Sequence, residues 1–112
     1  MKLSIGSLLR KLAVEFALTQ DLKKLVGDAD KTYGRANILK EDRSTLEKIR
    51  TDFSTVVKDR IGHGLSQAKG DEILGEIDRI TTIKKLLAYA SNLMLAGIGD
   101  PGKGMKVIRD EE

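Results

Sequence analysis

Apolar residues recur along this chain at intervals of three and four, which is the spacing of one face of an α-helix. The clearest run extends from about Asp42 to Ile61, where the apolar positions share one face and the charged residues lie off it. This run predicts an amphipathic helix. Its apolar positions are Leu46, Ile49, Phe53, Val56 and Val57.

A first helix is predicted near the start of the chain, where Ser7 has the side chain of an N-cap. Apolar positions continue on one face as far as Val26, and Gly27 then offers a stop. Thr19 either lies inside this helix or caps a second piece of it. Residues 28–37 hold good helix formers but few apolar anchors, so a helix is predicted there on composition alone.

The second half of the chain contains a break and then a long periodic segment. Three glycines punctuate residues 61–71, which predicts a loop or a frayed helix end because each glycine costs a helix interior about 1 kcal/mol. Asp71 is expected to cap a last long helix. Its apolar period holds for over twenty residues, as far as Met94, and Gly97 ends it.

These elements predict an all-α fold, a small helical bundle of about four helices over residues 1–97. Glycines, charged residues and Pro101 over residues 98–112 predict a flexible C-terminal tail. The apolar stripes of the two clearest helices exceed what one small bundle needs, so a homodimer is expected. The alternative is that the N-terminal helices of the same chain cover both stripes.

Composition excludes several classes of site. The 112 residues include no cysteine, which rules out disulfides, thiolate nucleophiles and Cys-based zinc sites. A single histidine, His63, excludes metal sites built on histidine pairs, and neither a metal nor a cofactor is expected. No apolar run approaches the ~18 residues of a transmembrane segment. Arg10 and Lys11 interrupt the N-terminal apolar patch, so no signal peptide is expected there. The expected location is therefore cytoplasmic.

A glycine-rich segment over residues 97–104 nearly matches a phosphate-binding loop of the form G-x-x-x-x-G-K-[ST]. The hydroxyl residue that should follow Lys103 is missing, and a helix rather than a strand is predicted before the segment. A helix terminator followed by a tail explains it better.

The segment from Lys58 to Gly64 holds the candidate catalytic residues Lys58, Asp59, Arg60 and His63. An imidazole beside cationic groups suits proton transfer at a ribose 2′-hydroxyl, with lysine or arginine stabilising charge on phosphate. If the helix continues, His63 falls near the face of Val56. In the alternative interpretation, His63 ends the helix and satisfies a carbonyl or lies in solvent, and the cations are solvated.

This segment, with the helices on either side of it, resembles the HEPN superfamily of small all-helical proteins. The signature of that family is an arginine, four to six residues and a histidine, often written R-N-x-I-A-H-G. On this pattern Lys58 occupies the arginine position, Asp59 the polar position, Gly62 the small residue and His63 the histidine. Lysine lacks the planar fork of arginine that grips phosphate through two donors. The likeness covers about fifty residues, from Leu46 to about Gly97.

The resemblance implies a homodimer with both motifs at the interface cleft and, commonly, metal-independent endoribonuclease activity in a toxin or defence system. In that role His63 acts as acid and base or orients the 2′-hydroxyl, Lys58 and Arg60 contact phosphate, and Asp59 orients one of them. Some members of the family lack these residues and only bind nucleotides or act as scaffolds.

Two other classes of function fit the pattern. A non-catalytic interaction protein, such as a phage, plasmid or secretion component, would use exposed apolar stripes to bind a protein partner. Changing Ile77 or Ile83 to Asp would then break self-association. A small nucleic-acid-binding subunit would instead use the basic pairs, which solvated helix faces also explain. These pairs are Arg10–Lys11, Lys23–Lys24 and Lys84–Lys85.

Overall fold

A computed structural model of the chain describes residues 17–96, and these residues form helices joined by short connections. The all-α prediction is confirmed. None of these helices combines the length and apolarity that crossing a membrane requires. In chain order they are α1 over 17–27, a π-helical turn at Asp30–Gly34, α2 at Arg35–Leu39, α3 at Arg43–Arg60, α4 at Gln67–Arg79 and α5 at Ile83–Ala96.

Several predictions fall outside the described residues. They concern the cap at Ser7, the part of the first helix before residue 17, the pair Arg10–Lys11, the glycine-rich segment 97–104 and the tail. Within the described part, Thr19 lies inside α1, which ends at Gly27 as expected.

One hydrophobic core joins four helices. The rings of Phe53 on α3 and Tyr89 on α5 lie at its centre with centroids 6.0 Å apart. Burying each large apolar side chain stabilises the fold by roughly 1.5–3 kcal/mol relative to leaving it exposed. The other large side chains that are fully buried are Leu18, Leu22, Ile49, Val57, Ile73, Ile77, Ile83, Leu86 and Leu93.

The apolar stripes of the long helices are covered within the chain. Leu18 and Leu22 of α1 are fully buried against them, as the alternative to a dimer predicted. Ile77 and Ile83 have no exposed surface, so the expectation that they lie on exposed stripes is wrong. Among large hydrophobic residues in the described part, only Leu39 is strongly exposed, at 74%.

The start of α3 is capped as its sequence predicts. The Asp42 side chain accepts hydrogen bonds from the backbone N–H of Thr45 at 2.9 Å and from its hydroxyl at 2.8 Å. These two bonds hold the pKa of Asp42 below its usual value because they favour the charged carboxylate. The predicted helix from about Asp42 to Ile61 is confirmed.

The predicted single helix from Asp71 to Gly97 is wrong, because the chain breaks it into α4 and α5. Ser66 caps α4 by accepting from the Lys69 N–H at 3.2 Å, so α4 begins before Asp71. Ile80 leaves the helix with ψ 128°. Thr82 then starts α5 by accepting from the Lys85 N–H at 3.2 Å.

Glu41 supplies a second cap to α5 from a distant part of the chain. Its carboxylate accepts from the N–H groups of Ile83 at 2.5 Å and Lys84 at 3.0 Å. Glu41 adopts φ 54°, a left-handed conformation that non-glycine residues visit uncommonly. The cap satisfies two helix amides that have no intrahelical partner, and it ties the α2–α3 connection to α5.

Replacing either of two glycines of α4 by alanine should change the stability of the fold in opposite directions. A Cβ on Gly70 would lie far inside van der Waals distance of the Ile61 side chain, whereas a Cβ on Gly75 meets nothing within 4 Å. We expect Gly70→Ala to destabilise the fold by about 1–3 kcal/mol through overpacking. Gly75→Ala is the matched control and should stabilise it by about 0.5–1 kcal/mol.

Urea unfolding followed by circular dichroism measures both free energies. The double variant Gly70→Ala with Ile61→Ala should recover part of the loss caused by Gly70→Ala. Equal stabilisation by the two alanines would contradict the close packing of Ile61 on α4.

Candidate functional site: the turn between α3 and α4

The candidate catalytic residues lie at the end of α3 and in the turn that follows it. Ile61 leaves the helix with ψ 126°, and the N–H groups of His63 and Leu65 both donate to the Arg60 carbonyl, at 3.1 and 3.0 Å. Gly62 and Gly64 adopt φ 90° and 112°, values that strongly favour glycine. The helix therefore does not continue to His63, which projects from the turn rather than from the face of Val56.

The His63 ring is held at one nitrogen and exposed. Its Nδ1 lies 2.7 Å from the backbone carbonyl oxygen of Asp59. A carbonyl oxygen only accepts, so Nδ1 carries the hydrogen, and in the neutral ring Nε2 is left as a lone-pair acceptor. The same contact satisfies a carbonyl in the last turn of α3, as expected in the alternative interpretation, in which His63 ends the helix.

Lys58 and Asp59 lie on the last turn of α3 with exposed side chains. Basic side chains in this position also interact favourably with the negative end of the helix dipole. Asp59 orients His63 through its backbone carbonyl. Asp59 and His63 are thus in direct contact, but through the Asp59 backbone, and this contact does not involve the carboxylate that is expected to orient Lys58 or Arg60.

Arg60 is engaged by a residue that the sequence did not single out. Its Nε and Nη2 donate to Oδ2 of Asp21 on α1, at 3.2 and 2.9 Å. The two side chains are 31% and 38% exposed, so water screens the pair and its contribution to stability is modest. A phosphate contact by Arg60 would have to compete with Asp21.

A small cavity of about 220 Å³ lies on the α1 side of the same region. It is open to solvent on one side and bordered by α1, the π-helical turn and α3. Asp21 lines this cavity as well as binding Arg60. The other lining residues are Lys24, Leu25, Asp28, Thr32, Tyr33 and Val56.

Tyr33 is fixed at both ends in the wall of this cavity. Its hydroxyl donates to Oδ2 of Asp52 on α3 at 2.5 Å, and its backbone carbonyl accepts from the Asn37 side chain at 2.9 Å. Burial and then the Asp52 carboxylate raise the pKa of Tyr33 above its usual value, so the hydroxyl stays protonated and donating. Sequence reasoning missed this residue because its partner lies in a different helix.

The described residues were also compared with the side-chain clusters that bind metal ions. Over 17–96, no group of three or more carboxylate or imidazole side chains is arranged to hold a metal ion.

Comparison with known proteins yields no assignment. No protein-family model, no curated protein and no solved structure matches this chain.

Proposed function

We propose that this protein is a HEPN-like, RNA-directed protein that cleaves RNA without a metal ion, with His63 as its acid–base residue. The observation that carries the proposal is the 2.7 Å contact between His63 Nδ1 and the Asp59 carbonyl. This contact fixes the ring orientation and leaves Nε2 of an exposed imidazole available to a substrate. A base oriented by a second group is the arrangement that activation of a hydroxyl nucleophile needs.

The reaction needs one proton removed and one supplied. Nε2 of His63 takes the proton of the ribose 2′-hydroxyl, O2′ attacks the adjacent phosphorus, and the bond from phosphorus to O5′ breaks. The leaving O5′ takes a proton from an imidazolium. The HEPN resemblance implies a homodimer with both turns in one cleft, and a protonated His63 of the second copy would then be the donor.

The neighbouring side chains take different parts in this proposal. Lys58 is exposed and supplies positive charge to the phosphoryl oxygens. Asp59 positions His63. Arg60 contacts phosphate only by exchanging its bonds to Asp21, so its first part is to position the turn against α1. A toxin or defence role in the cytoplasm fits a nuclease with this mechanism.

The chemistry of the product ends tests the proposal. Purified protein is incubated with end-labelled RNA in the presence of a chelator, and the fragments are analysed for their termini. We expect 2′,3′-cyclic phosphate and 5′-hydroxyl ends, because the 2′-hydroxyl is the nucleophile. Fragments with 5′-phosphate ends, or cleavage that the chelator abolishes, would contradict the mechanism.

Two variants of Lys58 test whether its positive charge contributes to the cleavage rate. Lys58→Ala should lower the cleavage rate about 10-fold or more, because the developing phosphoryl charge loses a partner. Lys58→Arg should retain or raise the rate, since the guanidinium binds phosphate through two donors. Lys48→Ala is the matched control, an exposed lysine on the same helix. Equal rates for the Lys58→Ala and Lys48→Ala variants would remove Lys58 from the site.

A further inference from the structure

We propose that the 220 Å³ cavity between α1, the π-helical turn and α3 binds a nucleobase of the RNA, with guanine preferred. We call it the base cavity, and its walls include Lys24, Asp28 and Tyr33. The inference deepens the proposed function and rests on it for the identity of the polymer. Its volume is below the roughly 300–1,000 Å³ of sites for drug-sized ligands, which suits a fragment such as one base.

The shape of the base cavity suits a flat apolar ring. Leu25 of α1 and Val56 of α3 are half-buried and supply aliphatic surface. Tyr33 adds an aromatic ring whose hydroxyl and backbone are both held by hydrogen bonds. A ring that is already fixed loses little freedom when a base stacks on it, and single-stranded RNA is commonly read by such stacking.

The polar groups of the cavity match guanine. Asp21, Lys24 and Leu25 fall on one face of α1 because they are spaced three and four residues apart. Asp28 follows the last residue of α1, and its N–H still donates to the Lys24 carbonyl at 2.9 Å. The Lys24 ammonium can donate to the O6 acceptor of guanine. The Asp28 carboxylate, which has two acceptor oxygens, can take its N1–H and N2–H donors. Adenine has no acceptor in place of O6, so Lys24 favours guanine over it.

The same charges disfavour a phosphate inside the cavity. Asp21 is already paired with Arg60, and the Asp28 carboxylate lies in the wall beside Lys24, so a phosphate there would meet repulsion from Asp28. A neutral base inside and its phosphate outside avoid this repulsion.

The cavity is connected to the proposed reaction centre through Arg60. Asp21 lines the cavity and accepts two hydrogen bonds from the Arg60 side chain. The Arg60 carbonyl in turn accepts from the His63 N–H at 3.1 Å. The Asp21 wall of the base cavity and the His63 turn therefore both contact Arg60. We expect the two places to hold the base and the ribose–phosphate of neighbouring nucleotides.

Binding of free nucleosides tests the base cavity without any cleavage. Guanosine, adenosine, cytidine and uridine are titrated separately into the full chain, and backbone amide shifts are followed by NMR. We expect saturable millimolar binding of guanosine, with the largest shifts at residues 24–33, and weaker binding of the other three. Absence of saturable guanosine binding, or equal binding of all four nucleosides, would overturn the inference.

Two matched pairs of variants locate the site. Lys24→Ala and Asp28→Asn should each weaken guanosine binding about 10-fold, the effect of losing one good base-edge contact. The controls Lys23→Ala and Asp30→Asn change exposed residues of the same type outside the cavity and should leave the affinity unchanged. Equal effects of the test variants and their controls would place the binding elsewhere.

The outcomes separate this inference from the proposed function. Guanosine binding without RNA cleavage would support the base cavity and contradict the nuclease. Cleavage that shows no preference for guanine, in a protein that binds no nucleoside, would support the nuclease and contradict the base cavity.

Discussion

Replacing Ile77 by Asp will unfold the protein rather than merely separate its copies. Ile77 has no exposed surface and belongs to the core that joins α3, α4 and α5. The substitution removes a buried aliphatic side chain and places a carboxylate without a compensating partner in an apolar site. We expect a loss of more than about 4 kcal/mol, which is comparable to the whole stability of many small domains.

Ala68→Asp is the control for this substitution. It introduces the same carboxylate at an exposed position in the first turn of the same helix, where negative charge interacts favourably with the dipole. Its free energy of unfolding should change by less than about 0.5 kcal/mol. Circular dichroism reports folding, and light scattering reports the mass of each variant. A folded, monomeric Ile77→Asp variant would show instead that Ile77 forms an intermolecular interface, as an assembly protein requires.

His63→Gln will lower metal-independent RNA cleavage by about 100-fold or more while leaving the fold intact. Glutamine can still donate a hydrogen bond toward the Asp59 carbonyl, but its amide cannot act as an acid or a base near neutral pH. General acid–base catalysis contributes about 100- to 10,000-fold to typical reactions. Rates are measured on labelled RNA with a chelator present, beside urea unfolding of the same preparations.

The unfolding measurement tests whether a loss of activity in His63→Gln results from a loss of folding. His63 is exposed, so its replacement should change the free energy of unfolding by less than about 0.5 kcal/mol. Added imidazole should restore part of the activity of His63→Ala, where the missing ring leaves space for it. Full activity of His63→Gln would reduce His63 to a residue that satisfies the end of α3.

Local signals in the sequence predict some of the fold well. The helix from Asp42 to Ile61 follows from its apolar period, and the cap at Asp42 follows from the preference of Asp for that position. The break at residues 80–82 was missed because Ile77, Ile80 and Ile83 keep a three-residue period straight through it. An apolar period shows which side chains face the core. It does not show a break between two helices when the connecting residue is also buried in the core, as Ile80 is.

Glycine is the second place where local reasoning was wrong. Gly70 suggests a loop by composition, yet it lies inside α4, where the Ile61 side chain leaves no room for a Cβ. A close approach between two segments depends on the tertiary structure. The same sequence feature therefore marks a turn at Gly62 and a packing contact at Gly70.

The candidate site shows the same division between local and distant contacts. His63 and Asp59 lie four residues apart, and their contact follows from the end of the helix. The bond from Arg60 to Asp21 spans 39 residues and that from Tyr33 to Asp52 spans 19. Nothing local to Arg60 or Tyr33 specifies these partners, so the base cavity could be found only once the helices were packed.

A comparison of RNA cleavage by the wild-type protein and by His63→Ala tests the acid–base role of His63 most directly. Both are expressed and purified identically, and each is incubated with labelled transfer RNA and messenger RNA in the presence of a chelator. We expect cleavage by the wild-type protein and none by the variant. Equal cleavage by both would indicate a contaminating ribonuclease, and an absence of cleavage by the wild-type protein would equally contradict an acid–base role for His63.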